Sequence, residues 1–211
     1  MKIISINISK GTTISNKKGR FRTGIYKTSV EGPVSLGKTD VVGDTVIDRK
    51  HHGGIDKACY IYSADNYPYW EKQFPDMHWT NGMFGENLSV KGYNDLDVNI
   101  GDVYKIGTAT IQISEPRRPC NVLGIRFGTP EIIKLFNQSL LPGTYVRVIE
   151  KGEVNVGDEF ILINRVSDIS VSEVFSLFSI ENKNITLAKK AVATPELAIE
   201  TKKSIKASFK L

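Results

Sequence analysis

Residues 111–121 read Ile-Gln-Ile-Ser-Glu-Pro-Arg-Arg-Pro-Cys-Asn, an alternating apolar strand pattern that runs into a basic loop. The two prolines of this stretch fix two φ angles and remove two backbone donors, so the loop is predicted to be stiff. The thiolate is the reactive and metal-binding form of cysteine, and the neighbouring Arg117 and Arg118 favour it. Cys120 is therefore a candidate nucleophile or a candidate ligand to an anionic metal cofactor. The alternative is a small buried hydrophobe, the usual role of a free cysteine.

The composition is that of an intracellular protein. With 211 residues, the chain is long enough for one domain, or one domain with a small appendage, without disulfides. Its two cysteines, Cys59 and Cys120, have no CxxC spacing, which favours a reducing compartment. Residues 1–8 alternate like a strand and do not resemble a signal peptide. No apolar run approaches the roughly 18 residues of a membrane span, so we expect a cytoplasmic protein without a membrane segment.

The net charge of +5 invites a nucleic-acid hypothesis, because Lys and Arg contacts to phosphate drive non-specific binding. No predicted strand carries a stripe of aromatic and basic residues, which argues against nucleic acid as a partner. An anionic cofactor or an electron-donor protein would use the same charge. The basic residues form an N-terminal group and a C-terminal group: Lys10, Lys17, Lys18, Arg20, Arg22 and Lys27; Lys183, Lys189, Lys190, Lys202, Lys203, Lys206 and Lys210.

The first part of the chain is predicted to be mainly β, a barrel or a sandwich, because short β-branched and aromatic segments are separated by Gly, Asn and Asp turns. Two helices interrupt it, one near 64–74 and one that begins with Thr129 as N-cap, Pro130 and Glu131. The predicted strands are 2–8, 24–30, 56–62, 86–90, 102–106, 108–114, 144–150 and 159–163.

After Arg165 the pattern becomes helical. Ser170 and Glu173 form a predicted capping box, 184–192 makes a short helix, and Thr194-Pro195-Glu196 is expected to begin another. We therefore predict two units, a β domain over 1–165 and a small three-helix unit over 166–211. The helical unit is too small to be stable alone, so it is expected to pack on the β domain or on a partner.

The segment 48–57, Asp-Arg-Lys-His-His-Gly-Gly-Ile-Asp-Lys, is a second candidate site. Gly53 and Gly54 allow positive φ, so backbone N–H groups can converge on an anion, while Lys50 and Lys57 supply charge. This chemistry suits a phosphate or another oxyanion. A hairpin also favours two glycines, so the pair alone is weak support.

A zinc site is a further alternative for the histidines of this segment. In an extended chain His51 and His52 would face opposite ways, so both cannot easily bind one metal. A zinc site would have to combine one of them with His78 and the two cysteines, but no spacing matches a known pattern.

A third candidate segment is Phe84-Gly-Glu-Asn-Leu88, a glycine turn that enters a strand. Glu86 or Asn87 could orient a ligand there. The alternative is structural, with the Glu86 carboxylate bonded to neighbouring backbone N–H groups.

Five segments in this order resemble the MOSC family, the domain named after the C-terminal part of molybdenum cofactor sulfurases, and its stand-alone bacterial YiiM-type branch most of all. The β part resembles the MOSC domain, and Arg165–Val171 resembles the start of the three-helix appendage of that branch. The segments are Lys50-His-His-Gly-Gly-x-Asp-Lys-Ala58, Phe84-Gly-Glu-Asn-Leu88, Gly101-Asp102, Gln112-Ile-Ser-Glu-Pro-Arg-Arg-Pro-Cys120 and Tyr145-x-Arg147.

The resemblance implies a β-barrel-like fold and a molybdenum cofactor, molybdopterin, whose metal is bound by two dithiolene sulfurs and the Cys120 thiolate. It further implies a reductase that converts small N-hydroxylated compounds, such as hydroxylaminopurines and amidoximes, to amines or amidines and water. No G-x-G-x-x-G fingerprint for a nicotinamide or flavin cofactor is present, so electrons are expected from a separate reductase.

Roles for individual residues follow as hypotheses. Asp56, His51 and His52 are candidates for proton delivery, with His52 preferred because it adjoins the glycines. Arg147 could hold the pterin phosphate or pair with Glu86, and Cys59 is assigned to the core. The predicted cofactor-binding residues are Lys50, Gly53, Gly54, Lys57, Glu86, Asn87, Arg117, Arg118, Asn121 and Arg147.

A different class of function stays open. The domain could carry sulfur or the cofactor without redox turnover, with a persulfide on Cys120. The chain has no room for the pyridoxal-phosphate-dependent part of the sulfurases, so it could at most receive sulfur.

Overall fold

The computed structural model describes residues 1–16, 19–179 and 182–211. Lys17 and Lys18 of the N-terminal basic group lie outside these described residues. The strands are β1 Lys2–Ile8, β2 Thr12–Asn16, β3 Gly19–Thr23, β4 Thr28–Ser29, β5 Val34–Leu36, β6 Cys59–Ser63, β7 Leu88–Lys91, β8 Val103–Ile106, β9 Ala109–Pro116, β10 Thr144–Glu150, β11 Gly152–Val154 and β12 Ile161–Asn164.

Seven α-helices accompany these strands in the described part of the chain. They are α1 Arg49–His52, α2 Tyr67–Gln73, α3 Asn121–Arg126, α4 Glu131–Ser139, α5 Val171–Ser176, α6 Ile185–Ala193 and α7 Ile199–Phe209. None of the helices that the structure describes combines the length and the apolar character that a membrane crossing requires.

One eight-stranded mixed sheet forms the body of the molecule. Its strand order is β12-β8-β9-β10-β6-β7-β1-β4, and β6 pairs with β7 in parallel while the other neighbours are antiparallel. The sheet curls so that the start of β1 meets the segment that precedes β12. The Ile3 N–H donates to the Asp158 carbonyl at 2.9 Å, and the Phe160 N–H donates to the Met1 carbonyl at 3.0 Å. The predicted mainly β, barrel-like fold with a few helices is confirmed.

The strand β6 separates two buried clusters. Side chains alternate across a strand, so Cys59 and Ile61 face an aliphatic core, while Tyr60 and Tyr62 face an aromatic cluster. In the aromatic cluster the rings of Tyr62 and Phe84 have centroids 4.4 Å apart. Both faces of this strand are buried, which holds it rigidly beneath the site described below.

The sequence patterns did not predict several short and exposed elements. The hairpin β2–β3 is mostly exposed and therefore carries no alternating apolar pattern. Most of the predicted strand 24–30 is loop, and only Thr28–Ser29 pairs, with β1. The short strands β5 and β11 and the short helix α3 were not predicted either. The helix expected to begin at Thr194 is wrong, because α7 begins at Ile199.

The predicted capping box at the start of α5 is confirmed. The Glu173 N–H donates to the Ser170 hydroxyl at 3.1 Å, and the Ser170 N–H donates to the Glu173 carboxylate at 2.7 Å. The C-terminal helices contribute Val174, Ala191 and Ile205 to the aliphatic core that also holds sheet residues. The expected packing of these helices on the β part is thus observed, while a domain boundary at residue 165 stays a prediction.

Replacement of Ser170 by Ala is expected to lower the free energy of unfolding by about 0.5–2 kcal/mol, because the Glu173 N–H at the start of α5 loses its hydroxyl acceptor. Urea unfolding followed by circular dichroism measures this change. Ser204→Ala is the matched control, since its exposed hydroxyl bonds only the Glu200 carbonyl of its own helix. Equal stability of the two variants would contradict the assigned role of the box.

Candidate functional site

A cavity of about 310 Å³ opens beside Cys120. Its wall is built by β3 and the loop after it, the loop before α1, the turn before β7, the loop after β9 and the strands β6 and β10. Its charged lining is more basic than acidic, which favours an anionic ligand. The basic side chains are Arg22, Lys27, Lys57 and Arg117, and the acidic ones are Asp44 and Asp48.

Cys120 sits where the chain leaves the proline loop and enters α3. Its backbone is extended, with φ −130° and ψ 170°, and its carbonyl accepts from the Leu123 N–H at 2.9 Å. The thiol is partly exposed and lines the cavity, whereas Cys59 is buried in the core as predicted. The next residue, Asn121, lines an adjoining groove instead of this cavity.

Arg117 is the most unusual charge in the cavity wall. Only 3% of its surface is exposed, and its guanidinium carbon lies 5.5 Å from the Tyr60 ring centre and 5.1 Å from that of Phe136. Its Nη1 atom is buried without a hydrogen-bond partner, and it takes part in none of the ion pairs in the described part of the chain. A buried charge without a counter-charge is costly, and a bound anion would supply one.

His52 lies in the cavity wall as a neutral imidazole. Burial lowers its pKa to about 4, and the positive charges of Arg117 and Lys57 act in the same direction. Its Nδ1 atom is 3.4 Å from the Tyr145 hydroxyl. Burial raises the pKa of Tyr145 to about 12, so the phenol stays protonated and available as a hydrogen-bond donor.

Lys57 is anchored at the rim of the cavity by two contacts. Its Nζ donates to the His51 carbonyl at 2.8 Å and lies 3.5 Å from the buried Glu115 carboxylate. The other oxygen of Glu115 accepts from the Thr201 hydroxyl of α7. The C-terminal helix thereby helps to position a basic side chain of the site.

A buried ion pair between Lys27 and Asp44 lies in the cavity wall, and sequence reasoning did not single it out. The Asn87 side chain donates to Asp44 at 2.9 Å and accepts from the Tyr60 N–H at 3.2 Å. Asn87 lines the cavity, but its hydrogen bonds make it an orienting residue for Asp44. No sequence pattern links Lys27 to Asp44, and only the fold brings them together.

Glu86 lies outside the cavity wall and is fully buried. Burial raises the pKa of its carboxyl group. The carboxylate accepts from the N–H groups of Gly82 and Phe84 at 2.8 and 3.1 Å and from the hydroxyl groups of Tyr67 and Ser89. These contacts support the structural alternative for Glu86, in which its carboxylate bonds neighbouring backbone N–H groups.

Arg147 and Asp56 also lie outside the cavity wall and pair with each other. The Arg147 Nε is 2.5 Å from the Asp56 carboxylate, and its Nη1 donates to the Glu196 carbonyl at 2.6 Å. The expected alternative of a pair between Arg147 and Glu86 is therefore wrong.

The remaining predicted residues flank the site. Lys50 and His51 are exposed on α1, and the His51 ring bonds the Asp48 carboxylate at 2.9 Å. The segment is helical rather than extended at these positions. Gly53 and Gly54 follow it, and Gly54 has a φ of 105° that favours glycine. Arg118 is exposed, with its guanidinium carbon 4.6 Å from the Phe178 ring centre.

The structure does not favour the zinc alternative. Across residues 1–16, 19–179 and 182–211, no three His, Cys, Asp or Glu side chains are grouped so that they could hold a metal ion.

The comparison with known families decides the classification. The model of the MOSC domain matches residues 48–161, which include α1, the proline loop and Cys120. The chain belongs to the MOSC domain family. The MOSC match therefore spans about half of the residues in the cavity wall, while those from Phe21 to Ile47 lie before it.

Individual relatives of this MOSC protein agree with that assignment. It is 35% identical to the uncharacterized protein YflK of Bacillus subtilis over 98% of this chain and 92% of that protein. It is 36% identical to a protein of Gibberella moniliformis named "Reductase", over 70% of this chain but only 27% of that protein. The crystal structure of YiiM from Geobacillus stearothermophilus has a TM-score of 0.83 and 31% identity, with 99% of this chain and 98% of that chain covered.

The pKa of His52 is expected to rise from about 4 when Lys57 is replaced by Met, because one of the positive charges that disfavour the imidazolium is removed. A titration of the imidazole C–H signals by NMR measures it. Lys50→Met is the matched control, because Lys50 is exposed on the same helix as His52 and is not among the charges that shift His52. The same His52 pKa in both variants would contradict the electrostatic assignment.

Proposed function

We propose that this MOSC protein binds the molybdenum cofactor in the cavity beside Cys120 and reduces N-hydroxylated compounds to amines or amidines and water. The observation that carries the proposal is that one cavity wall holds both a partly exposed thiol and a buried guanidinium without a counter-charge. A metal–pterin phosphate requires these two groups together, a soft donor for the metal and a receptor for the anion.

The size and charge of the cavity fit such a ligand. Pockets for cofactors and small molecules typically measure about 300–1,000 Å³, and this cavity of about 310 Å³ lies at the lower end. Tyr60, Phe84 and Tyr145 add aromatic surface to its wall, which suits a planar heterocycle. The excess of basic side chains in the lining suits a phosphate.

Each group of the wall takes a role in the proposal. The Cys120 thiolate would bind molybdenum, and Arg117 and Lys57 would hold the anionic part of the cofactor. When bound, the cofactor supplies a centre that exchanges two electrons and accepts oxygen. Asp44, which is oriented by Lys27 and Asn87, has a carboxylate in the wall that can accept hydrogen bonds from a ring N–H.

The proposed reaction is R–NH–OH + 2 e⁻ + 2 H⁺ → R–NH₂ + H₂O, so the protein must deliver protons as the N–O bond breaks. His52 is positioned for this at the cavity wall, but burial and the positive charges of Arg117 and Lys57 keep it neutral in the absence of a ligand. An anion bound to these two cations would offset their part in the lowered pKa of His52, so the imidazole would take up a proton more easily than in the ligand-free protein. Proton delivery is thereby coupled to the presence of the cofactor.

One of the relatives supports the reductase part of this proposal. The fungal relative that shares 36% identity over 70% of this chain is named a reductase, although this chain spans only about a quarter of it. Because no nicotinamide or flavin fingerprint is present in the sequence, we propose that electrons come from a separate reductase.

Replacement of Cys120 by Ala is expected to abolish molybdenum retention, because the thiolate is the only proposed protein ligand to the metal. Molybdenum per protein, measured by inorganic mass spectrometry after expression in a host that makes the cofactor, tests this. Cys59→Ala is the matched control, since it removes the buried thiol and leaves the cavity wall unchanged. Near-stoichiometric metal is expected in the wild type and in the control.

Two results would contradict the cofactor site. One is equal molybdenum in the Cys120→Ala variant and the wild type. The other is no metal in any of the three proteins from a competent host, together with a reductant-sensitive mass increase of one sulfur on Cys120, which would favour the persulfide carrier.

Replacement of Arg117 by Met is expected to have opposite effects on stability and on cofactor binding. The cofactor-free protein should gain about 1 kcal/mol or more in free energy of unfolding, because a buried charge without a partner becomes an apolar side chain of similar length. Molybdenum retention should fall, because the anion receptor is lost. Denaturant unfolding of protein from a cofactor-deficient host and metal analysis of protein from a competent host measure the two effects.

Arg20→Met serves as the control for the loss of a positive charge, since Arg20 is exposed on β3. A stability loss in the Arg117→Met variant without a loss of molybdenum would show that the guanidinium is structural.

A further inference from the structure

A second depression adjoins the charged cavity and shares two wall residues with it. Phe21 and Val122 line both spaces, and Asn121, which follows Cys120 directly, lines the second one. The rest of its wall comes from α3 and from the turn and first residues of α4, including Ile125, Pro130 and Ile133. We refer to this depression, of about 720 Å³, as the α3–α4 groove.

The two spaces differ sharply in chemistry. The charged cavity has four basic and two acidic side chains in its wall, whereas the lining of the α3–α4 groove has none. Its side chains are aliphatic and aromatic apart from one amide and one hydroxyl group. An anionic ligand therefore belongs in the cavity, and an uncharged apolar group belongs in the groove.

The apolar wall of the groove remains available to a ligand. Phe21, Val122, Ile125 and Ile133 are each partly exposed rather than buried. Apolar surface that is contiguous with a reactive centre is typical of the part of a site that binds the body of a substrate. The Asn121 amide stands next to Cys120 and offers a donor and an acceptor to a polar head group.

We propose that the α3–α4 groove binds the apolar body of the substrate, so that the protein prefers N-hydroxylated compounds with an aryl or similarly planar apolar group over small aliphatic ones. This inference rests on the proposed function for its reaction and deepens it by naming the substrate class. The Cys120–Val122 segment then divides the site into a charged cofactor side and an uncharged substrate side.

The first test measures the preference between two probes, benzamidoxime and acetamidoxime, with the molybdenum-loaded protein. The wild type should show a higher kcat/KM for benzamidoxime. Ile133→Ser should lower the ratio of the two kcat/KM values about tenfold, because apolar contact in the groove is lost. Ile185→Ser, at an exposed isoleucine of α6, is the matched control and should keep the wild-type ratio.

The second test detects binding without turnover. In wild-type protein with isotope-labelled isoleucine methyl groups, benzamidoxime should shift the NMR signals of Ile125 and Ile133 and leave that of Ile185 in place. Shifts only at other methyl groups, no shifts, or an unchanged ratio in Ile133→Ser would overturn the groove assignment. Methyl shifts in the groove without reduction of either probe by loaded protein would instead refute the proposed reaction.

Discussion

The antiparallel pair of β9 and β10 is the constraint on which the site depends. Thr144 pairs with Pro116 at the end of this ladder, and the Arg117 N–H still donates to the Gly143 carbonyl at 3.3 Å. Gly143 has a φ of 64°, and a Cβ there would lie 2.4 Å from the Ile61 carbonyl oxygen of β6. Only glycine therefore allows the three strands to converge, and their convergence fixes where the proline loop presents its arginine and its thiol.

The electrostatics of the cavity follow from that placement. Arg117 is held between aromatic rings rather than beside a carboxylate, and its charge adds to the burial that lowers the pKa of His52. The carboxylates nearby are already engaged, since Asp44 pairs with Lys27 and Glu115 contacts Lys57 and Thr201. These carboxylates thus position side chains of the site, and an excess of positive charge in the cavity wall remains for a ligand.

Local patterns in the sequence were sufficient to predict part of this arrangement. Cys120 is marked by its proline and arginine neighbours, and the α5 capping box is marked by Ser170 and Glu173, because each of these features depends on residues close together in the chain. The alternating apolar pattern also predicted β1, β9 and β10, whose inward-facing residues are buried.

The rest depends on contacts that no local pattern encodes. The hairpin β2–β3 brings Phe21 and Arg22 to the cavity although its own strands are largely exposed and irregular in pattern. Glu86 and Arg147 are attractive as ligand residues in the sequence, but they are satisfied by partners elsewhere in the chain, Tyr67 and Asp56 among them. The sequence motifs therefore identified the region of the site, and packing determines which side chains face the cavity.

The different environments of the two cysteines have a practical consequence. Burial raises the pKa of the Cys59 thiol, and that side chain is 1% exposed, so it is shielded from alkylating reagents. Cys120 is partly exposed at the cavity wall. The natural sequence thus carries a single addressable sulfhydryl, and a fluorophore or spin label attached there would report directly on events at the junction between the charged cavity and the α3–α4 groove.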